Sequence, residues 1–538
     1  MPGESIKKTQ DANPRRFVLA IDLGSGGPKA ALVADTGEVV ATAQEKTTTY
    51  LLPEGGAEQD AQEWWQGAKQ TAKKVIAESG VTAGEIIAVA VDSMWSVVVP
   101  VDVHGEPLMR AVHWMDVRGG PHNRKIIKGF PSIQGYGLFK LLKWIRSTGL
   151  APTHSGVDSF GHVLYIKNER PEIYAKTHKF LEPMDYLTSR LTGRITATQK
   201  TMTIFMVTDN RRWGGLKYNE GLLKLAGVEK EKFPELVAND GIVGSLDPAV
   251  ARELGLLPST QVVAGIGDSN ASAIGSGAVH DYEAIIYIGT SYYMNCHVPF
   301  KKTDLFHMMA SLPSPFPSKY LMFAEQGTGG RCVEYFLNDF VYADDAFNTG
   351  TRPEDAYDRF NACAAEAPAG SGGVIFLPWL NGSITPHENP FARGGFINIS
   401  LKTRRSHLAR AVMEGLAYNN RWVKGAAEKF IGRPIGSFRF SGGGALSDLW
   451  SQIQADILGV PIQQIDDPLN STVRGTALLA FIALGHRTIS EIPGLVRIKR
   501  VFEPEEGHRP IYDKMYSQYR ALFRKNKGIF AALNADEI

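Results

Sequence analysis

The sequence predicts an α/β protein with two related domains that face each other across a cleft. Its 538 residues exceed the usual size of a single domain. Two units with the pattern strand, turn, strand lie about half the chain apart, at 17–33 and 284–295. Stretches typical of helices fill the intervals. The repeated hairpin indicates a duplicated domain, with one turn from each copy facing the cleft.

Each repeated unit is an apolar strand that runs into a glycine-rich or small-residue turn and returns as a second strand. Glycines permit positive φ and let another group approach the backbone closely. The predicted parts are strands over 17–21 and 29–33 around a turn at 22–28, and strands over 284–288 and 292–295 around a turn at 289–291.

Helices are predicted over four further stretches, at 60–79, 406–430, 447–458 and 512–530. The domain boundary is placed between Gly275 and Glu283. The predicted parts of the chain are a flexible N-terminal extension at 1–15, an N-terminal domain at 16–279, and a C-terminal domain at 280–538 that includes the last helix.

The composition excludes several classes of partner. Lys and Arg (58) nearly balance Asp and Glu (56), so no strong field favours nucleic acid or an acidic membrane surface. No apolar run approaches the roughly 20 residues that span a bilayer, and the polar segment at 1–16 lacks the apolar core of a signal peptide. The three cysteines match no zinc or redox spacing, which favours a reducing, cytoplasmic setting. A homodimer is left open as an alternative to a monomer.

The stretch at 263–273 is the most informative part of the chain. A short apolar strand runs into glycines, ends on Asp268 and continues into small residues that suit the start of a helix. Asp268 is therefore expected at the carboxyl end of a strand, where α/β proteins bind ligands. A lone carboxylate there could take a proton from an attacking hydroxyl group. The alternative is an N-cap of the following helix, and one residue can serve both roles.

The first glycine turn is a candidate phosphate site. Asp22 ends the strand before it and could organise Mg²⁺ or the attacking group, or could be a simple Asx-turn residue. Backbone N–H groups of the turn could point at phosphate oxygens, and a lysine just beyond could reach the same oxygens. Most turns of this kind are ordinary turns. The candidates besides Asp22 are Gly24, Ser25, Gly26, Gly27 and Lys29.

Two further turns are candidates for binding a nucleotide. Gly289 and Thr290 offer a backbone amide and a hydroxyl after a strand, which suits a β- or γ-phosphate, although an ordinary hairpin has the same pattern. The run at 441–447 places three glycines between a strand and a helix, which leaves a bare surface for a nucleobase or ribose. A plain connection rarely needs three glycines, so a nucleoside site is favoured there.

Two runs with aromatic residues are candidates for contacts with a sugar. The run at 114–118 places an indole, a carboxylate and a guanidinium within five residues. Indoles stack on apolar sugar faces, and the charged groups can bind hydroxyls; the alternative is a core tryptophan beside a surface ion pair. The run at 92–95 follows the apolar stretch at 86–91 and could border the same pocket, although its Met and Trp suit a core equally well.

In this order along the chain, these features resemble the FGGY carbohydrate kinases of the actin/hexokinase/Hsp70 ATPase superfamily. The resemblance covers about residues 16–485. It also rests on the run at 58–65 and on the runs at 385–394 and 407–415, which are similar to the family's C-terminal signature. It implies two ribonuclease-H-like (actin-like ATPase) domains flanking a cleft. The sugar and the base would belong to the N-terminal domain, and ATP to the C-terminal domain.

The resemblance also implies roles for the candidate residues. Asp268 would be the general base, and Asp22 would organise the Mg²⁺ of Mg-ATP. The implied phosphate contacts are Gly24, Ser25, Gly26, Gly27, Lys29, Gly289 and Thr290; the implied adenosine contacts are Gly443, Gly444 and Asp448; the implied sugar contacts are Ser93, Met94, Trp95, Trp114, Asp116, Tyr136 and Asp268.

The expected activity is ATP-dependent phosphorylation of a terminal hydroxyl of a small sugar, such as the pentuloses xylulose and ribulose. The run at 385–387 looks more like xylulokinases than glycerol kinases, but Trp95 stands where xylulokinases usually carry His. The first turn also lacks the family's hydroxyl-rich residues. Another ketose, a deoxy sugar or a polyol therefore stays an alternative substrate. A regulator that binds nucleotide and sugar without catalysis is a further alternative, against which the retained Asp268 argues.

Overall fold

The structure, a computed structural model, describes residues 15–348 and 351–534. The predicted flexible extension at 1–15 lies outside the described residues except for Arg15. Within the described ranges, every helix is too short or too polar to span a bilayer.

Strands and helices alternate through the first half of the chain. Its strands are β1 (Phe17–Gly24), β2 (Gly27–Ala34), β3 (Val39–Gln44), β4 (Thr49–Leu52), β5 (Gly56–Gln59), β6 (Ile86–Ser93), β7 (Val99–Val101), β8 (Ala111–Val112), β9 (Ser132–Ile133), β10 (Tyr136–Gly137), β11 (Lys179–Leu181), β12 (Thr196–Thr198), β13 (Glu235–Val237), β14 (Ile242–Ser245), β15 (Gln261–Val263) and β16 (Ile266–Gly267). Its helices are α1 (Ala61–Ser79), α2 (Gly120–Ile127), α3 (Leu138–Thr148), α4 (Ser159–Glu169), α5 (Pro171–Lys176), α6 (Pro183–Thr192), α7 (Glu220–Ala226), α8 (Pro248–Leu254) and α9 (Asp268–Gly275).

The second half has a similar mixture. Its strands are β17 (Ala284–Ile288), β18 (Tyr292–Val298), β19 (Thr303–Asp304), β20 (Met309–Pro313), β21 (Tyr320–Glu325), β22 (Ile375–Leu377), β23 (Gly395–Ile397), β24 (Phe438–Ser441), β25 (Ile462–Ile465) and β26 (Ile498–Phe502). Its helices are α10 (Gly330–Tyr335), α11 (Ala356–Ala365), α12 (Arg405–Ile431), α13 (Asp448–Leu458), α14 (Ser471–Ala483), α15 (Ile492–Leu495) and α16 (Arg509–Asn534).

The two main sheets share one topology. In the first, strands run in the order β3-β2-β1-β6-β15-β14, and β16 also pairs with β6. In the second, β21-β18-β17-β24-β25-β26 follow the same order, with β20 and β19 added at one edge. Each sheet begins with an antiparallel meander and continues with parallel neighbours of its first strand. The predicted duplication, with its two α/β domains, is confirmed.

The four stretches predicted to be helical form α1, α12, α13 and α16, with ends that differ from the prediction by a few residues. Helix α1 shows how the spacing of apolar residues indicates a helix. Asp60 caps it by accepting a hydrogen bond from the N–H of Gln62, and Trp64 is fully buried on its inner face. The apolar stripe docks this helix on the first sheet, where it packs against β2 and β3.

Two helices cross between the domains. Helix α14 follows the second sheet's strands in sequence, yet Val473 and Ala477 pack against Val18 and Ala20 of the first sheet. Helix α9 follows the first sheet, and its Ser269 and Ser272 are bonded by β18 of the second sheet. The sheets lie on either side of the predicted boundary at 279/280, which stays a prediction.

Glycines make this crossing unusually close. A Cβ on Gly275 would lie 1.7 Å from the carbonyl oxygen of Ser471, and one on Gly475 would lie 1.8 Å from the carbonyl oxygen of Ala271. Because both neighbours are helix backbone, neither can yield to a side chain. The two helices therefore lie backbone against backbone, as only glycine permits.

Replacing Gly475 by Ala should push α14 away from α9 and lower the free energy of unfolding by about 2–3 kcal/mol, the usual cost of overpacking. The measurement is urea unfolding followed by circular dichroism. The matched control is Gly425→Ala, in the exposed face of α12 with open space around its α-carbon. That change should stabilise by about 0.5–1 kcal/mol, because Ala is the better helix former. Equal effects of the two substitutions would contradict the close crossing.

Candidate active site

A cavity of about 2790 Å³ lies between the two domains. It collects most of the residues that the sequence singled out, from both halves of the chain. Those that line it are Asp22, Gly24, Ser25, Gly26, Gly27, Lys29, Met94, Trp95, Trp114, Tyr136, Asp268, Gly289, Thr290, Gly443 and Gly444. Ser93, Asp116 and Asp448 do not line it.

Three carboxyl groups meet at the edge of the first sheet. Asp22 of β1 stands directly opposite Asp92 of β6, and Ile266 of β16 stands on the other side of Asp92. Asp268 comes two residues later, as the first residue of α9. The carboxyl ends of these parallel strands share one edge, which is where α/β sheets bind ligands.

Asp268 is a carboxylate poised to accept a proton. Helix α9 is capped by Gly267, and no side chain caps it, so the N-cap alternative for Asp268 is wrong. Burial, with a further contribution from the charge of Asp22, raises the pKa of Asp268 to about 7. A general base works best when its pKa lies near the working pH. The environment of Asp268 therefore suits it to that role.

Helix α14 supplies a hydroxyl to each of the other two carboxyl groups. Thr472 Oγ1 donates to Asp22 Oδ2 and Thr476 Oγ1 donates to Asp92 Oδ2, both at 2.6 Å. The two threonines are one helical turn apart and so share a face. Asp92 is fully buried, and burial followed by the nearby charge of Asp22 raises its pKa well above the usual range. The bonds fix both side chains against a helix from the other half of the chain.

Asp92 belongs to the run at 92–95 that the sequence placed at the border of the pocket, but it was not a candidate site residue. The signal was present, because Asp92 follows an apolar run just as Asp22 does. The local sequence could not show that β1 and β6 pair with each other, which places Asp92 opposite Asp22.

The carboxylates offer limited means to hold a metal ion. Among the described residues, no group of three or more His, Cys, Asp or Glu side chains could hold one. Mg²⁺ in kinases is typically bound by one or two carboxylates together with phosphate oxygens of the substrate. Asp22 faces the cavity, and carboxylate oxygen is the donor that Mg²⁺ prefers. Its position beside the first glycine turn fits this ion.

The first turn needs glycine at one position in particular. Gly27 has φ of +125°, and a Cβ there would lie 2.3 Å from the carbonyl oxygen of Glu45. Ser25 Oγ accepts a hydrogen bond from Nε1 of Trp114 at 2.9 Å, so the serine is tied to the wall of the cavity. Lys29 Nζ donates to the carbonyl oxygen of Leu469 at 2.6 Å. Hydrogen bonds on both sides therefore hold the turn in place.

The other two turns belong to the second sheet. Gly289 and Thr290 join β17 to β18 at the cavity, and Thr290 is exposed there. Gly443 and Gly444 follow β24 and also line the cavity. Asp448 accepts a hydrogen bond from Nε2 of Gln464 at 3.0 Å and does not line the cavity. Its expected contact with adenosine therefore lacks support from its position.

The aromatic runs divide between the wall of the cavity and the layer behind it. Met94, Trp95 and Trp114 line the cavity. Ser93 is buried behind them and donates to the carbonyl oxygen of Met94 at 2.8 Å. Asp116 is also fully buried. Neither polar group reaches the cavity, so the expectation that both bind the sugar directly is corrected.

Asp116 instead orients an arginine. Its carboxylate accepts hydrogen bonds from Nε and Nη2 of Arg118, and Arg118 Nη2 also donates to Glu58 at 2.8 Å. Arg118 Nη1 donates to the hydroxyl of Tyr165 at 2.6 Å. Arg118 itself lines the cavity, so the carboxylate acts through this cation. Arg118 stood in a run noted in the sequence but was not a candidate site residue.

Tyr136 lines the cavity from the far side of the first domain. Its hydroxyl donates to the carbonyl oxygen of Pro152 at 2.9 Å, and its ring lies 4.4 Å from that of His154. Burial raises the pKa of the phenol, so the hydroxyl stays protonated. The ring, more than the hydroxyl, is the part of Tyr136 left free for a ligand.

Comparison with known proteins agrees with this architecture. A solved xylulose kinase from Rhodospirillum rubrum has a TM-score of 0.79 and 24% identity, over 96% of this chain and all (100%) of that one. The fold is therefore that of a two-domain actin-like ATPase. Residues 17–275 match the N-terminal domain of the FGGY family of carbohydrate kinases, and residues 284–484 match its C-terminal domain. The chain belongs to this family and is a carbohydrate kinase.

Its relatives act on several acceptors. A xylulose kinase of Staphylococcus epidermidis is 27% identical over 96% of this chain and 99% of that protein. A gluconokinase of Bacillus subtilis is 25% identical over 94% of each chain. The similarity supports a sugar kinase and leaves the particular sugar open.

Trp95 and Gly267 fit each other beside the base. A Cβ on Gly267 would lie 1.9 Å from Nε1 of Trp95 and 2.1 Å from Cε2, in a rigid indole. Gly267→Ala should lower the free energy of unfolding by about 1–3 kcal/mol, measured by urea unfolding. Trp95→Ala removes the obstacle, so the double variant should lose less than the sum of the two single variants.

Gly443→Ala is the matched control for that experiment, because the nearest atom to its added Cβ is 4.0 Å away. It should leave stability nearly unchanged. Strict additivity of Gly267→Ala and Trp95→Ala would show that the two residues are not in contact.

Proposed function

We propose that this carbohydrate kinase transfers the γ-phosphoryl group of ATP to a terminal hydroxyl of a small sugar, with a pentulose such as xylulose or ribulose as its acceptor. The observation that supports this is the position of Asp268. It lines the cavity between the domains, opposite the turns of the second sheet, and its pKa is raised to about 7.

The proposed reaction needs alignment more than covalent chemistry. The acceptor lies against Met94, Trp95 and Trp114 with its terminal hydroxyl toward Asp268. As the acceptor oxygen attacks the γ-phosphorus, Asp268 takes its proton and ADP leaves with the bridging oxygen. Closure of the domains about the bound substrates keeps water from taking the acceptor's place.

The phosphates are proposed to lie between the two hairpin turns. The residues at 24–27 and at 289–290 line the cavity, and Lys29 adds a positive charge. Asp22 would hold Mg²⁺, which neutralises negative charge on the phosphates when it is bound. Gly443 and Gly444 leave space for the adenosine. Family membership favours this enzyme over a regulator without catalysis, and the proposed location is the cytoplasm.

The choice of a pentulose is supported by the xylulose kinases among the relatives. Gluconokinases and a glycerol kinase are also among them, so an acidic sugar or a polyol is the competing outcome. The test is release of ADP from ATP in the presence of D-xylulose, D-ribulose, gluconate or glycerol. Turnover with a pentulose at least tenfold above the others supports the proposal. Turnover with gluconate or glycerol instead would overturn the choice of acceptor.

Asp268→Asn should lower kcat by about 10²–10⁴-fold, because an amide cannot take the acceptor's proton. The affinity for Mg-ADP, measured by calorimetry, should stay within a few-fold of wild type. Asp513→Asn, on the exposed surface of α16, is the control and should keep full activity. Turnover by Asp268→Asn at the wild-type rate would show that the base is another residue.

The rate should depend on pH through the same carboxylate. Its pKa of about 7 lies above the ordinary value of an aspartate, so protons occupy the base as the pH falls through 7. Below that point kcat/KM should fall about tenfold per pH unit. Asp22→Asn removes the negative charge that, after burial, contributes to the raised pKa of Asp268. The residual activity of this variant should therefore decline only at lower pH than that of wild type. A profile without an acid limb near neutral pH would contradict the assignment.

A further inference from the structure

Tyr287 places a phenol beside the second phosphate turn. It lies in β17, three residues before Thr290, and lines the cavity between the domains. Its ring stacks on that of Tyr293 with centroids 4.8 Å apart and planes 5° apart. A Cβ on Gly289 would lie 2.9 Å from the hydroxyl oxygen of Tyr287. The ring therefore folds over the turn, and glycine at 289 leaves room for it.

The hydroxyl of Tyr287 also lies within electrostatic range of the carboxyl groups. Burial, and then the charges of Asp22, Asp268 and Asp92, raise the pKa of Tyr287. The phenol thus keeps its proton and remains a donor at neutral pH. These neighbours lie at the edge of the first sheet, whereas Gly289 belongs to the second. Tyr287 consequently lies beside the turn of one domain and within electrostatic range of the carboxyl groups of the other.

The two stacked tyrosines differ in what their hydroxyls do. Tyr293 is buried, and its hydroxyl donates to Ser272 Oγ at 2.9 Å, which ties the second sheet to α9. Among the described residues, no group is hydrogen-bonded to the hydroxyl of Tyr287. The hydroxyl of Tyr293 is therefore used in packing, whereas the hydroxyl of Tyr287 is left to donate to a ligand in the cavity.

The first turn supplies few side-chain donors of its own. Gly24, Gly26 and Gly27 have no side chains, and Pro28 has no N–H. The hydroxyl of Ser25 is engaged with Nε1 of Trp114 and with Sδ of Met94. A phosphoryl group between the two turns would meet no free hydroxyl from this side.

We propose that Tyr287 is a catalytic residue that donates a hydrogen bond from its hydroxyl to a non-bridging oxygen of the phosphoryl group in transfer. It supplies the donor that the first turn lacks. The bond between the γ-phosphorus and the bridging oxygen of ADP breaks, and a bond to the acceptor oxygen forms. The acceptor's proton goes to Asp268, and Tyr287 keeps its own. This inference rests on the proposed function.

The reason for expecting a catalytic effect is the charge on the group in transfer. Negative charge spreads over its three non-bridging oxygens in the transition state. A donor fixed in advance, in a site closed to water, stabilises that charge more than it stabilises bound ATP. Stacking on Tyr293 fixes the ring, so the donor needs little reorganisation.

The test is Tyr287→Phe, which removes only the oxygen and keeps the stack. We expect kcat to fall about 10²-fold, as for other single donors to a transition state. KM for the acceptor and the affinity for Mg-ADP should stay within about twofold. Affinity for ADP with magnesium and aluminium fluoride, a mimic of the group in transfer, should fall in parallel with kcat. Tyr293→Phe is the matched control, because it removes a hydroxyl of the same stack that bonds Ser272.

The outcomes separate this inference from others. Unchanged kcat and unchanged affinity for ADP with aluminium fluoride in Tyr287→Phe would overturn it. A rise in KM for the acceptor alone would overturn it as well, since Tyr287 would then bind the sugar. If the wild-type protein phosphorylated no sugar of the panel, the proposed acceptor would be wrong. The role of Tyr287 would still be tested, by comparing the affinities of the two tyrosine variants for ADP with aluminium fluoride. A larger loss of that affinity in Tyr293→Phe than in Tyr287→Phe would also overturn the inference, because the effect would then come from the packing of the stacked rings.

Discussion

The backbone contact between α9 and α14 is the constraint on which the site depends. Gly275 and Gly475 let the two helices touch without intervening side chains. Each helix then packs on the sheet of the opposite domain, so one crossing ties the two domains together. Helix α14 carries Thr472 and Thr476 to the first sheet, and β18 holds α9 in return. A shift at the crossing would move the base and the carboxyl beside it relative to the turns of the second sheet.

Charge at the edge of the first sheet gives the site its chemistry. Burial comes first, and the nearby charge of Asp22 second, among the causes that shift the pKa of Asp92 and of Asp268. Both causes raise the pKa, which favours a protonated Asp92 beside a proposed base, Asp268, with a pKa of about 7. The threonine hydroxyls of α14 bond to Asp22 and Asp92, and these hydrogen bonds offset part of the free-energy cost of placing the carboxyl groups together. The proposed base and the proposed metal ligand can thereby share one sheet edge.

The cavity wall that is proposed to face the acceptor is held by polar groups that do not themselves line the cavity. Ser93 and Asp116 are buried, and each bonds to a neighbouring residue that does line the cavity. The charge of Asp116 is balanced by Arg118, which also bonds to Glu58 and Tyr165. Buried polar groups of this kind are stable only when bonded, so they fix the wall in one arrangement. Trp95 adds an apolar surface against Gly267.

The local sequence determined much of this molecule. Two apolar strands around small-residue turns predicted both hairpins, and helical spacing predicted α1, α12, α13 and α16. Strand ends in Asp22 and Asp268 indicated an active site, because a strand's direction fixes where its last side chain stands. Resemblance then supplied the family, which the comparisons confirmed.

Tertiary structure alone decided the rest, since it depends on residues far apart in the chain. Asp92 meets Thr476 across 384 positions, and no local pattern encodes that contact. The same holds for α14 on the first sheet. It also holds for Asp116, which accepts a hydrogen bond from the N–H of Ala57 in β5, and for Asp448, which bonds to Gln464 of β25 and does not line the cavity. A sequence shows which side chains could do chemistry, but only packing decides which of them are left free to reach a ligand.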